Sequence, residues 1–410
     1  MVIVVAVWML IWGGMFSGVY NLAMPKFTSS PFAFFQGVRA LFPMLAIYLC
    51  FLWVMSRRSK FPLVKDPLGY FFIYGVMGFI GSMFLTVNTV DSLYWAGAYL
   101  SPFFGIWLAL ASENPKEKLQ KIILVNYVVF FFFALNIFPE AVRIFRGKTS
   151  LSAFFSLPFG LGDFTRNGAG RFALVMAIVS FCRFIVSKSK YRYLWFAFFG
   201  PGLFILMMTQ SRTALLGLAV VSVLFIFLRG IDWRYLFLGP VAAYVVWMSG
   251  FKWRAKGQIE QLISLTGREV TWQKGIALIK NSPFLGWGFN ADRLMLNYEH
   301  MHNSYLHAMI QTGILGFIFF VAALFSIWNL IGRARLFDRI KSLGGSNYAF
   351  LMESIMIIGF MTIRSFFEST AAFFGVDLLI LVPAMAYVSL VAQEGEEGVP
   401  EFELNAAETA

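Results

Sequence analysis

The chain has 410 residues, of which 59% are hydrophobic and 13% charged, with a mean hydropathy of +0.72 and a formal net charge of +12. A water-soluble domain could not cover that much apolar side chain, so the composition excludes a soluble enzyme and implies an all-α polytopic membrane protein. Apolar runs of roughly 18–25 residues match the ~20 that cross the hydrocarbon as helix and are too long for barrel strands.

About twelve transmembrane helices are expected, centred near residues 12, 44, 79, 103, 129, 178, 200, 220, 242, 316, 357 and 382. The first, from Val2 to about Tyr20, lacks the basic start and small-residue cleavage site of a signal peptide and reads as a retained span. Cys50 and Cys182 fall inside spans, which argues against a disulfide and makes them small buried apolar residues. The clusters Arg57, Arg58, Lys60 and Lys65, then Lys116, Lys118 and Lys121, then Lys188, Lys190 and Arg192, then Arg333, Arg335, Arg339 and Lys341 all fall on one side, with Arg229 and Arg234. Short basic loops stay in the cytoplasm, so this side and both termini are expected there. The expected organisation is one transmembrane domain over residues 1–392 and an acidic, disordered cytoplasmic tail over 393–410. Topology thus accounts for the net charge. No aromatic-interleaved basic groove points to a nucleic-acid partner.

On the opposite, external face two longer loops, about 139–168 and 251–301, break the charge rule. The first carries Arg143, Arg146, Lys148 and Arg166; the second carries Arg254, Lys256, Arg268, Lys274, Lys280 and Arg293. Cations on the face that should be poor in them imply an anionic ligand. Arg212, in SRTALL, occupies a very short external turn, where a charge beside hydrocarbon needs a partner or a water-filled cavity. Arg39, Arg171 and the pair Arg364 and Glu368 lie near external span ends, and the pair's i, i+4 spacing suits mutual stabilisation. Asp91 sits at an external turn and is most simply solvated.

In the second loop, Thr266 and Glu269 have the spacing of a capping box, so a helix is expected to start there. Trp272, Ile276 and Ile279 recur at i, i+4 and i+7, the stripe of a helix lying on the membrane surface. Asn281, Ser282 and Pro283 stop it, and Gly286 and Gly288 permit a tight backbone path. Arg268 then occupies the first turn, a place suited to a phosphate oxygen, where its planar fork can grip diphosphate; pairing with Glu269 or lipid headgroups is the bland reading. His302 and Asn303 open the next span. There the helix dipole disfavours imidazolium, and a neutral ring can act as general base; a capping or interfacial histidine is the bland reading. His300, His302 and His307, with Asp292 and Glu299, match no zinc spacing, so no metal and no cofactor are expected. The Phe and Met stripes are packing or lipid-facing residues. The chain has no Gly-rich nucleotide loop and no Ser-centred nucleophile elbow, which argues against an ATP-driven machine.

Arg268 through Trp272, SPFLGWGFN, HxHNSYL and GILG, with SRTALL upstream and RSFFES downstream, resemble in order and separation the signature of the bacterial O-antigen ligase and polymerase superfamily. The similarity covers roughly residues 200–370, and RSFFES looks like the late motif of the exopolysaccharide-polymerase branch. The resemblance implies a GT-C-like, metal-independent glycosyltransferase of the bacterial inner membrane with a periplasmic site. Its donor would be an undecaprenyl-diphosphate-linked glycan, and its acceptor lipid A-core in a ligase or a growing glycan in a polymerase. The ligase label is favoured. Carried over by motif, Arg212 and Arg268 would hold the diphosphate and His302 would orient or deprotonate the acceptor, with Asn303, Arg171, Arg364 and Glu368 as further substrate-binding candidates. The adjoining His300 departs from the pattern without a reading. A lipid-linked oligosaccharide flippase shares the span number and lack of an ATP motif, but transporters show repeats and mid-membrane helix breaks, whereas here the polar groups gather at one face.

Overall fold

Apolar sequence crosses hydrocarbon as helix because its N–H and C=O groups must bond within their own segment. The computed structural model describes residues 2–15, 38–57, 67–147, 154–156, 163–231, 268–297, 299–340, 343 and 345–396. In chain order α1 (Val2–Met15), a 3-10 turn (Arg39–Leu41), α2 (Phe42–Arg57), α3 (Leu68–Phe84), α4 (Thr89–Leu110) and α5 (Pro115–Phe145) lead to a two-stranded antiparallel ribbon, β1 (Phe154–Ser156) and β2 (Asp163–Thr165). There follow α6 (Arg166–Val186), α7 (Arg192–Thr209), α8 (Arg212–Arg229), α9 (Arg268–Asn281), α10 (Ala291–Met295), α11 (Ser304–Arg333), α12 (Leu336–Arg339), α13 (Gly345–Ser365) and α14 (Val376–Glu396).

Among the described residues nine helices are long and apolar enough to cross a membrane, and α1 and α3 are shorter apolar helices. The chain is a multi-pass helical membrane protein, with the ribbon as its one departure from all-α among those residues. The span expected near residue 242, the cap Thr266 and the tail beyond Glu396 lie outside the described residues. Helices α13 and α14 are the most deeply sheathed. One buried polar network there crosses helices: Trp8 and Trp12 donate to Asn126 Oδ1 (2.8 and 2.7 Å), whose Nδ2 donates to Leu379 O (2.9 Å), tying α1, α5 and α14 together. Cys50 and Cys182 are both free and buried.

At one end of the bundle Lys116 Nζ, at the start of α5, meets Glu394 near the end of α14 (2.6 Å), and Arg229, at the end of α8, donates to Tyr348 Oη near the start of α13 (2.9 Å). The N-termini of α6, α8, α11 and α14 and the C-terminus of α13 come to the other. Asp91, expected to be solvated, is 7% exposed in the first turn of α4 and receives Asn88 Nδ2 (3.0 Å), so its charge is held by the cap residue and the helix dipole.

The second loop expected to be external is not a surface loop throughout its described residues. Helix α11 is broken at Gly313 (φ 58), and the chain after α9 fills the break. Trp287 and Gly288 N–H donate to Ile310 O and Gln311 O (2.8 and 2.9 Å), while Ile314 and Leu315 N–H donate to Pro283 O and Phe284 O (2.8 and 3.3 Å). A Cβ at Gly313 would lie 2.3 Å from the Phe284 backbone, and one at Gly286 (φ 67) 2.5 Å from that of Gln311, so both positions need glycine. Beyond the lock, Phe289 is fully buried over Gly78 beside Tyr74 and Tyr99, with its N–H donating to Ser82 Oγ (2.9 Å). Irregular backbone survives at this depth because the two segments exchange their freed bonds. The strings SPFLGWGFN and GILG are thus two halves of one backbone clasp.

The stripe read on α9 also shifts. Trp272 and Ile279 pack on Met301 and Ile310, with Gly275 set against Met301, but Ile276 is 43% exposed. The helix docks on α11 through positions 272, 275, 278 and 279, and Trp272 Nε1 donates to Met301 O (2.8 Å).

Candidate functional site

At the end of the bundle opposite the basic clusters, α13 stops at Ser365 and the chain winds out through residues 366–370. That turn is stitched to the start of α11. Ser304 Oγ lies 2.7 Å from both Glu368 O and Thr370 O, and Asn303 Nδ2 donates to Phe366 O (3.1 Å). Asn303 is the N-cap of α11, its Oδ1 accepting from Tyr305 and Leu306 N–H (2.9 and 3.0 Å). Its side chain is therefore engaged by the helix and the turn, and the capping role considered for His302 belongs to Asn303.

The turn presents Glu368 as the hub. Its Oε2 meets His302 Nδ1 (3.0 Å), and its Oε1 accepts from Arg268 Nη2 (3.3 Å) and from Asn167 Nδ2. Arg268 Nη1 also donates to Phe367 O (2.7 Å). Asn167 Oδ1 accepts from Ser211 Oγ (2.8 Å), and Ser211 caps α8 at Ala214 N–H, so the helix that begins with Arg212 is tied to the same hub. Arg268 lies in the first turn of α9, as expected from the capping-box spacing. The side chain of Glu368 is 9% exposed, against 20% for Arg268 and 34% for His302, so the carboxylate is the inner member and its partners reach the surface.

Burial by itself would raise the Glu368 carboxyl. The His302 hydrogen bond and the charges of Arg364, His302 and Arg268 outweigh it and bring the group down to about 2. An ionised carboxylate only accepts, so the proton of a neutral His302 ring sits on Nδ1 and its lone pair on Nε2, which makes no bond among the described residues. His302 adopts φ 48, a left-handed backbone that costs about 1–3 kcal/mol for a non-glycine residue.

Arg364 and Glu368 do not form the expected mutual pair. The backbone keeps the i, i+4 relation, with Glu368 N–H donating to Arg364 O (2.8 Å), but the side chains part to other partners, Arg364 Nε donating to Asp377 Oδ2 (2.9 Å). Arg171 Nη1 donates to Asp377 Oδ1 (2.7 Å), and Thr370 Oγ1 to Oδ2 (2.9 Å). Arg171 and Arg364 are thereby committed to a buried carboxylate beneath the hub rather than presented to solvent. Arg39 lies in the 3-10 turn, outside this network. Arg268, Arg171 and Arg364 against Glu368 and Asp377 leave the cluster cationic, and Arg212 begins the helix whose cap is tied to it.

Sequence reading missed Asn167, Ser211 and Asp377. The last had a signal, an acid at the start of an apolar span, which needs a partner. Arg293, counted among loop cations, is 5% exposed and lies beneath the site, with Nη2 2.9 Å from His300 Nε2. Among the described residues no group of three or more His, Cys, Asp or Glu is placed to hold a metal ion.

Residues 196–321 match the family model described as O-antigen ligase, a stretch that takes in Arg212, Arg268, His302 and Asn303. The exopolysaccharide production protein ExoQ of Rhizobium meliloti (strain 1021) is 30% identical over 149 residues, covering 29% of this chain and 34% of that relative. The match thus spans about a third of the relative's length. Both similarities fall within the superfamily to which the motif order pointed.

Proposed function

We propose, from the chain's place in the O-antigen ligase and polymerase superfamily, that it is a membrane glycosyltransferase that moves a glycan from a polyprenyl diphosphate to an acceptor hydroxyl. The observation that carries this reading is the convergence of Arg268 and His302 on Glu368, with the start of α8 tied to the same carboxylate through Asn167. Arg268 uses two of its donors on Phe367 and Glu368 and keeps others for phosphate oxygens; Arg212 stands at a helix N-terminus, where anions are favoured. In the transfer, the acceptor oxygen bonds to the anomeric carbon and gives its proton to His302 Nε2. The bond from that carbon to the phosphate oxygen breaks, and the two arginines stabilise the charge left on the diphosphate. Glu368 keeps the ring in the tautomer this requires.

The donor is an undecaprenyl-diphosphate-linked glycan, the architecture GT-C-like, the membrane the bacterial inner membrane with the site at its periplasmic face, and no metal takes part. The acceptor in the ligase reading is lipid A-core. Joining of repeat units is the second reading, favoured by the similarity to a protein named for exopolysaccharide production. Protein purified in detergent, given extracted undecaprenyl-diphosphate-linked glycan and each acceptor in turn, is expected to form product without a membrane barrier. His302→Ala, Arg268→Ala and Arg212→Ala are expected to remove that activity while the protein still inserts. Absence of transfer by folded wild-type protein would leave the flippase reading in its place.

A further inference from the structure

His300 is the residue that neither the motif nor the mechanism above employs. Its ring stacks on that of His302, with centroids 4.7 Å apart and planes 27° from parallel, and the His307 ring follows at 6.5 Å and 17°. Arg293 Nη2 lies 2.9 Å from His300 Nε2. Because a guanidinium only donates, Nε2 accepts from Arg293, while Nδ1 lies 3.3 Å from Ser369 Oγ and 3.4 Å from the His302 backbone N–H that points to it. Phe373 closes the tier, edge-on to His300 (5.9 Å) and His307 (5.4 Å) and beneath the Arg293 guanidinium (4.9 Å). Asp292, fully buried and 2.7 Å from His307 Nδ1, supplies the negative charge that lets Arg293 be buried next to it.

Two roles fit three stacked imidazoles, a proton wire or a platform, and the geometry separates them. A wire needs each N–H aimed at the next nitrogen. Here the rings meet face to face, and the His300 nitrogens meet Arg293, Ser369 and the His302 backbone N–H rather than another ring nitrogen. Burial and the neighbouring Arg293 also hold His300 well below the usual histidine value, so it does not take up a second proton near neutrality. Meanwhile His302 is held in a left-handed backbone that its own chemistry does not favour. We propose that Arg293 and His300 are positioning residues for His302: a neutral imidazole clamped by Arg293 and Ser369, on whose face the His302 ring is laid so that Nδ1 meets Glu368 and Nε2 faces the acceptor. The proposal rests on the reading of His302 as the group that meets the acceptor hydroxyl.

The test compares His300→Ala, which removes the platform, with His300→Phe, which restores a flat ring without its nitrogens, and with His302→Ala. All are full-length proteins in detergent, assayed with extracted undecaprenyl-diphosphate-linked glycan. His300→Ala is expected to lose about 10- to 100-fold in kcat, the scale of a misplaced reacting group, with the donor KM within about threefold because Arg212 and Arg268 are untouched. His300→Phe is expected to recover most of that loss. Carbethoxylation by diethyl pyrocarbonate, located by mass spectrometry, is expected to modify His302 several-fold faster in His300→Ala and at the wild-type rate in His300→Phe. Wild-type kcat in His300→Ala overturns the proposal. So does a His300→Phe protein as defective as His300→Ala, which also decides the matter should His300→Ala fail to fold. Activity in His302→Ala removes the acceptor-facing role of His302 instead, and the rate of His302 carbethoxylation then decides the stacking separately.

Discussion

Glu368→Gln keeps the size of the hub and removes its charge. Lowering the carboxyl from 4.5 to about 2 corresponds to about 3 kcal/mol of stability at neutral pH. Because Arg268 and His302 reach solvent and can be hydrated once the charge is gone, a measured loss of about 1–3 kcal/mol is expected. The sign follows from the direction of the shift. A carboxyl depressed in the folded state contributes fully above its ordinary value of 4.5, and that contribution is lost as the pH falls from there through about 2. Thermal unfolding in detergent should therefore show wild type above the variant by a constant margin from pH 7 to about 5, narrowing below. Activity should fall by more than stability alone explains. The new carboxamide can donate to His302 Nδ1, which puts the ring proton on Nε2 and removes the lone pair that would accept from the acceptor hydroxyl, a loss of about 10²-fold or more in kcat with little change in donor KM. Wild-type kcat in the variant, or a stability margin that does not change between pH 5 and pH 3, would refute the reasoning.

Arg268→Lys is expected to restore little of the activity lost in Arg268→Ala, because an ammonium cannot bond Phe367 O and Glu368 together and still offer a fork; initial rates against donor concentration check this. Asp377→Asn leaves the buried guanidiniums of Arg171 and Arg364 without their shared counter-charge and should cost about 3–5 kcal/mol, read as a lowered unfolding midpoint in detergent. Gly313→Ala drives a Cβ to 2.3 Å from the Phe284 backbone at a positive φ, so it should unseat the clasp and reduce folded protein in the membrane, measured by fluorescence-detected size exclusion.

Hydropathy alone was enough to declare a multi-pass helical protein, because the cost of unsatisfied backbone in hydrocarbon leaves a single local solution for a long apolar run. Motif spacing likewise picked out Arg268 in a first helical turn and His302 beside a helix start, since caps and turns are written in neighbouring residues. What belongs to tertiary structure is who meets whom. Glu368 joins His302 across 66 positions of sequence and Asn167 across 201, and no local periodicity carries either distance. The same limit explains the misread pair: i, i+4 spacing brings two side chains within reach of each other but does not say whether distant partners compete, and here the backbone bond from Glu368 N–H to Arg364 O is kept while His302 takes the Glu368 carboxylate and Asp377 the Arg364 guanidinium. A polar loop in sequence became a buried clasp for a related reason, since the break in α11 offers bonds that only a second backbone can complete.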